Sequence, residues 1–155
     1  MTENLSAEAV LAQKGMLAKT VVGTSMNPLL KQYRDTVVVE PVNGSLRKYD
    51  VVLFRRDEQL VLHRIVRVKD GYFLIRGDNC INSEKVCDKQ IIGKMTHFCR
   101  NGKQYDVKSK SYRVYSFLWV RSFAVRRFFV KLTMLFKSMV RRLNGTIKKC
   151  KKSRT

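Results

Sequence analysis

With 155 residues, 45% of them apolar, the chain can build one domain with a real core and hardly two. The net charge of +20 is unevenly spread: residues 1–107 hold 17 basic and all 12 acidic side chains, whereas residues 108–155 hold fifteen basic and no acidic ones. No run of about eighteen uncharged apolar residues occurs, so no spanning helix is expected, and the N-terminus lacks the basic n-region and long apolar run of a signal peptide, which argues against one.

In chain order, Leu5 to Lys19 reads as a short amphipathic helix, with Leu5, Ala9, Ala12 and Met16 on one side and Glu3 and Glu8 near its start. Gly23 then breaks it into a turn that carries Ser25. Four β-branched or aromatic runs follow, Thr36–Glu40, Asp50–Phe54, Leu60–Val68 and Tyr72–Ile75, separated by turn residues such as Asn43-Gly44 and Asp70-Gly71. They predict a compact, mainly antiparallel β core. Asp70-Gly71 between two such runs is a hairpin signal, and it folds the strand bearing His63 back against the strand leading to Asp78.

A serine hydroxyl becomes a good nucleophile when a neighbouring base takes its proton and a third group orients that base. Ser25, His63 and Asp78 supply the three residue types in three separate segments. Each has a plainer reading alone. Ser25 suits a loop or a helix N-cap, His63 a half-buried strand position, and Asp78 a turn that satisfies its own backbone. Only the constellation points to catalysis. Cys80, Cys87, Cys99 and Cys150 form no C-x-x-C pair and no ligand spacing with His63 or His97, so they read as reduced thiols, and neither a metal nor another cofactor is called for.

The segments Val22-Gly23-Thr24-Ser25-Met26-Asn27-Pro28, Tyr49-Asp50-Val51-Val52-Leu53-Phe54, His63-Arg64 and Gly77-Asp78-Asn79 with Asn82-Ser83 resemble the catalytic boxes of the signal peptidase I superfamily, which includes the self-cleaving SOS repressors. The resemblance runs from about Leu17 to Gly93. Histidine at position 63, where bacterial signal peptidases carry lysine, resembles the endoplasmic-reticulum and spore-former branch. The resemblance implies Ser25 as nucleophile, His63 as base, and Asp78 or Glu84 as the acid that orients it, with Asp78 favoured. Two departures stand out. Gly23 replaces a serine that helps form the oxyanion hole, which leaves the Ser25 N–H and a neighbour such as Thr24 for that role. Where relatives place a further aspartate, the nearest acid is Glu84. Arg64 is expected to support the site or pair with a carboxylate.

From Tyr112 to Leu143 the periodicity turns helical. At about 100° per residue, Val125, Phe128, Phe129, Leu132, Leu135, Phe136, Met139, Val140 and Leu143 share one face, opposite Arg126, Arg127, Lys131, Lys137, Arg141 and Arg142. A basic helix with a phenylalanine stripe suits the interface of an anionic membrane, and the Lys148–Lys152 tail adds charge. Packing that stripe on the β core, or dimerising through it, is the plainer alternative. Nucleic acid is the competing polyanion, but the aromatics form a broad stripe rather than isolated stacking platforms, and no binding motif is visible.

The expected architecture is thus mainly β: a signal-peptidase-like antiparallel core with a short N-terminal helix and a long C-terminal basic amphipathic helix. A catalytic domain over 1–107 precedes the helix and cationic tail over 108–155. The expected activity is serine endopeptidase cleavage of signal or leader peptides at a membrane surface, by a peripheral protein working from the cytoplasmic side. The alternatives are an inactive homologue that binds a membrane or a partner, a self-processing regulator, and a cationic nucleic-acid-binding protein. The sequence leaves the oligomeric state open.

Overall fold

The computed structural model describes residues 6–123 together with 125, 127 and 128. The chain divides into two units after Val120, and the described residues fall almost wholly in the first. The first unit holds an antiparallel sheet of eight strands with one short helix before it and one after it.

Helix α1, Ala7–Lys14, starts where the Ser6 hydroxyl accepts from the Ala9 N–H and stops at Gly15, whose φ of 67° is left-handed. The predicted helix over Leu5–Lys19 is therefore too long. Gly15 ends it, and Leu17–Thr20 instead forms strand β1, in register with Thr36–Val39 of the next strand. Leu5 itself lies outside the described residues.

Strands β2 (Thr36–Glu40), β3 (Val51–Arg56), β4 (Gln59–Lys69) and β5 (Tyr72–Arg76) cover the four predicted runs except Asp50, which precedes β3. Lys69 pairs with Tyr72, so Asp70-Gly71 forms the expected tight hairpin, with Gly71 at φ 78°. Strands β6 (Glu84–Val86), β7 (Ile91–Arg100) and β8 (Lys103–Asp106) complete the sheet in the order β1-β2-β7-β3-β4-β5-β6, with β8 beside β7. The pattern at β7 is broken by Gly93 and Lys94, which hides a strand that sits centrally between β2 and β3.

Two clusters of buried side chains form the core. Met26, Leu30, Val39, Val51, Leu53 and Met95 belong to one, and Val52, Phe54, Ile65, Ile75 and Val86 to the other. Successive β3 residues alternate between them, as a strand with both faces covered requires. Helix α2, Lys110–Arg121, follows β8 and contributes Tyr112 to the first cluster. No helix among the described residues is long and apolar enough to cross a membrane.

Gly93 lets β7 approach its neighbour closely, since a Cβ there would stand 2.7 Å from the Glu40 carbonyl oxygen and 2.7 Å from Val39 Cγ1. Gly93→Ala is expected to destabilise the fold by about 1–3 kcal/mol. Urea unfolding should show a lower midpoint at unchanged slope, and an unchanged midpoint would contradict the close packing.

Candidate active site

Ser25 lies on a loop held closed at both ends. The Val21 N–H donates to the Asp35 carbonyl (2.9 Å) and the Tyr33 N–H to that of Val21 (2.8 Å). Inside it the fully buried Asp35 carboxylate accepts from the Lys31 N–H and from the Arg34 guanidinium at 2.6 and 2.8 Å. That guanidinium holds the Asp35 carboxyl below the usual carboxylate range, although burial opposes it. Residues 25–29 form turns and no helix, so Ser25 is not an N-cap.

The Gly77-Asp78-Asn79 segment is tied to this loop. The Asn79 N–H donates to the Ser25 carbonyl at 2.7 Å, and its side-chain amide donates to the Thr24 carbonyl at 3.3 Å. Gly77 sits against the site itself. A Cβ there would come within 2.7 Å of the Ser25 carbonyl oxygen, 2.8 Å of Cys80 Sγ and 2.9 Å of His63 Nε2. Ser25 and His63 both line one cleft of about 1150 Å³, together with Leu17, Lys19 to Val22, Leu53, Leu62, Ile81 and Glu84. The Ser25 hydroxyl and backbone N–H are engaged by no hydrogen bond among the described residues.

His63 is 4% exposed and packs on the Phe54 ring at a centroid distance of 5.9 Å. Strand register explains its acidic neighbour. Ile65 pairs with Ile75 and Ile75 with Glu84, so Glu84 shares a face with Ile65 and, two residues back along β4, with His63. Glu84 Oε1 lies 3.3 Å from His63 Nδ1. That contact is in charge range without hydrogen-bond geometry, and Nδ1 is buried with no hydrogen-bond partner among the described residues. Burial pushes the imidazole pKa below its ordinary 6.5; Glu84 and Asp78 pull it up and Arg56 pushes it down. Arg56 also pairs with Glu84 at 3.1 Å. At neutral pH His63 is therefore uncharged, as a general base must be.

Asp78, favoured on sequence as the group that orients His63, faces elsewhere. Its two oxygens accept from Nε and Nη2 of the fully buried Arg64, each at 2.8 Å. His63 and Arg64 are consecutive on a strand and so project to opposite faces, which separates Asp78 from the imidazole and leaves Glu84 beside it. Arg64 Nη1 also donates to the Tyr49 carbonyl (3.0 Å), the Tyr112 hydroxyl (3.1 Å) and the Ser116 hydroxyl (2.8 Å). From α2, Tyr115 donates to Asp78 Oδ2 at 3.3 Å and Trp119 Nε1 to the Asp78 carbonyl at 3.0 Å. Burial alone would lower the guanidinium pKa, but the Asp78 hydrogen bonds and charge outweigh it and raise it.

These α2 residues were not singled out on sequence. Tyr112, Tyr115, Ser116 and Trp119 recur at helical spacing, a stripe that reads as amphipathic but names no partner. Arg56 was not singled out either, Cys80 was read only as a reduced thiol, and Gly77 was quoted only as part of its box. His97 lies outside the cleft, with Nδ1 3.2 Å from Thr96 Oγ1. Among the expected membrane-binding residues, Arg127 and Phe128 are helical and exposed. Arg126, Phe129, Lys131, Phe136, Arg141 and Arg142 lie outside the described residues.

Comparison with known families matches residues 2–96 to the Peptidase S24-like family. The chain belongs to the peptidase S24-like family. No curated protein matches it. Membership makes this chain serine-protease-like, and the family takes in self-cleaving regulators as well as peptidases related to signal peptidase I. For an S24-like chain the match ends near the middle of β7, so α2 and its contacts to Arg64 and Asp78 lie beyond the matched stretch.

Asp78→Asn leaves the buried Arg64 guanidinium short of its counter-charge, and breaking such a pair costs about 3–5 kcal/mol. Thermal and urea unfolding should show a loss of that size. A loss under about 1 kcal/mol, the range of an exposed pair, would contradict the buried geometry.

Proposed function

We propose that this S24-like chain is a serine endopeptidase resembling signal peptidase I, with Ser25 as nucleophile, His63 as general base and Glu84 as the acid beside the imidazole. The carrying observation is that a loop serine and a buried, neutral histidine line one cleft, with a carboxylate 3.3 Å from the far side of the ring. A proton on Nδ1, toward Glu84, leaves Nε2 to take the Ser25 proton as the hydroxyl attacks a scissile carbonyl. The imidazolium so formed gains from the Glu84 charge and returns the proton to the leaving amine. The uncommitted Ser25 N–H supports its role as an oxyanion donor, with Thr24 next to it. Arg64 and Asp78 are positioning residues in this reading: they fix β4 and the Gly77–Asn79 segment from the opposite face.

The substrate is proposed to be an extended stretch of a signal or leader peptide. Strand β1 ends the sheet order among the described residues, and its Lys19 and Thr20 line the cleft, so a peptide laid there would add to the sheet as a further strand. The setting is proposed to be an anionic membrane surface, on the strength of the basic, phenylalanine-rich pattern from Val125 to Leu143. The family's self-cleaving branch is the main rival. It favours Ala-Gly and Cys-Gly bonds and a lysine base, and this chain has neither such a bond nor a lysine at position 63.

The test is to incubate the full chain, with vesicles containing phosphatidylglycerol, with a panel of signal and leader peptides and to identify products by mass spectrometry. Cleavage at one bond, reduced about 10³-fold or more by Ser25→Ala and by His63→Ala, is expected. Cleavage that survives Ser25→Ala would sink the reading.

The imidazole sets the pH response. Between its lowered folded value and 6.5 the unfolded chain holds a proton that the fold does not, so this group's contribution to stability rises with pH across that window. Activity is expected to follow the same ionisation, with kcat/KM falling on acidification through a midpoint below 6.5. Glu84→Gln removes the charge that holds the imidazolium up and should move that midpoint lower still. A midpoint that rises in Glu84→Gln would be incompatible with the assignment.

A further inference from the structure

A second open cleft, of about 1280 Å³, lies within the same unit and shares no lining residue with the first. Arg47, Lys48, Lys94, Lys108, Lys110 and Arg113 line it, against a single acid, Asp50. Asp50 is already committed: its Oδ2 accepts from the Arg47 N–H at 2.9 Å and pairs with Lys94 at 3.2 Å. The cleft therefore carries a strong uncompensated positive charge.

The apolar part is as unusual as the charge. Helix α2 turns Tyr112, Tyr115, Ser116 and Trp119 toward Arg64 and Asp78. Val114, Phe117 and Leu118, at i, i+3 and i+4, fall on the opposite side of the helix. They are 57%, 45% and 56% exposed, where an ordinary surface helix would be polar. Lys110 lies one turn before Val114, and Lys48 sits 5.0 Å over the Tyr49 ring, which meets Phe117 edge-on at 6.2 Å. Exposed apolar side chains and cations thus line the same cleft.

We propose that this face of the folded core docks on an anionic lipid bilayer, with Val114 and Leu118 entering the headgroup–acyl boundary and Lys48, Lys108, Lys110 and Arg113 meeting the lipid phosphates. Charge complementarity and the exposed apolar residues select this occupant together. An acidic peptide would use the cations but leave Val114 and Leu118 in water, while a neutral apolar partner would leave the cations unpaired. The inference rests on the proposed membrane-surface setting and extends it to a surface that does not depend on residues 121–155. Its readout is lipid contact, which stands or fails separately from cleavage.

The experiment is hydrogen–deuterium exchange of the full chain, alone, with phosphatidylcholine vesicles and with vesicles that also contain phosphatidylglycerol. Vesicle affinity is measured in parallel for the parent, for Val114→Ser with Leu118→Ser, and for Lys48→Glu with Lys108→Glu. Protection over residues 108–118 with the anionic vesicles alone, and a loss of affinity of about tenfold or more in each double variant, is expected. Circular dichroism and thermal melting of the variants exclude unfolding as the cause. Binding without protection of 108–118, or with unchanged affinity in both variants, would overturn the proposal, since residues 121–155 would then carry all the lipid contact. Equal protection by soluble poly-glutamate would also overturn it in favour of an acidic peptide.

Discussion

The buried pair of Arg64 and Asp78 is the constraint on which the rest of the first unit depends. A fully buried guanidinium is tolerable only when its charge and its donors are met. Here a carboxylate accepts from Nε and Nη2 in a fork, and a backbone carbonyl and two hydroxyls gather around Nη1. Those partners come from four places: the turn before β3, the segment after β5, and two successive turns of α2. Satisfying one side chain therefore fixes the helix against the sheet and the Gly77–Asn79 segment against β4. Because Asn79 is in turn bonded to the Ser25 carbonyl, the same constraint reaches the loop that carries Ser25.

Strand geometry then separates structure from chemistry. Arg64 faces α2, and its neighbour His63 faces the cleft, Phe54 and Glu84. Burial that would be costly for a charged group suits a base that must be neutral before it acts. The Glu84 charge, shared with Arg56, favours the charged imidazole that burial disfavours, so a proton taken up by His63 in the proposed reaction would be held against it. Gly77 keeps this arrangement compact, since any side chain there would strike the serine carbonyl, the Cys80 thiol and the imidazole at once.

Much of the fold was legible because strands with buried faces betray themselves by β-branched runs, and because Asp70-Gly71 specifies one hairpin. Strand β7 was not, since Gly93 and Lys94 interrupt its pattern for reasons that exist only in the sheet: the glycine for a close backbone approach, the lysine for its pair with Asp50. Strand β1 was read as helix because Gly15's role as a stop depends on a backbone conformation that composition does not reveal. In the candidate site, Ser25, His63 and Arg64 were found as residue types in order. The roles of Asp78 and Glu84 were not separable, because the assignment turns on which face of β4 each acid meets, and that follows from the register of β4, β5 and β6. The α2 contacts were invisible for the same reason: a stripe of tyrosine, serine and tryptophan declares a face but not the charge beneath it.

The central claim is that Ser25, and no other side chain in the cleft, forms the covalent bond to substrate. It is tested most directly by stopping the full chain with acid while it turns over a cleaved peptide and mapping the trapped acyl group by mass spectrometry. The account predicts an acyl ester on the fragment containing Ser25, lost in Ser25→Ala and in His63→Ala. An acyl group on Cys80, whose thiol stands beside the same imidazole, or turnover without any acylated residue, would contradict it.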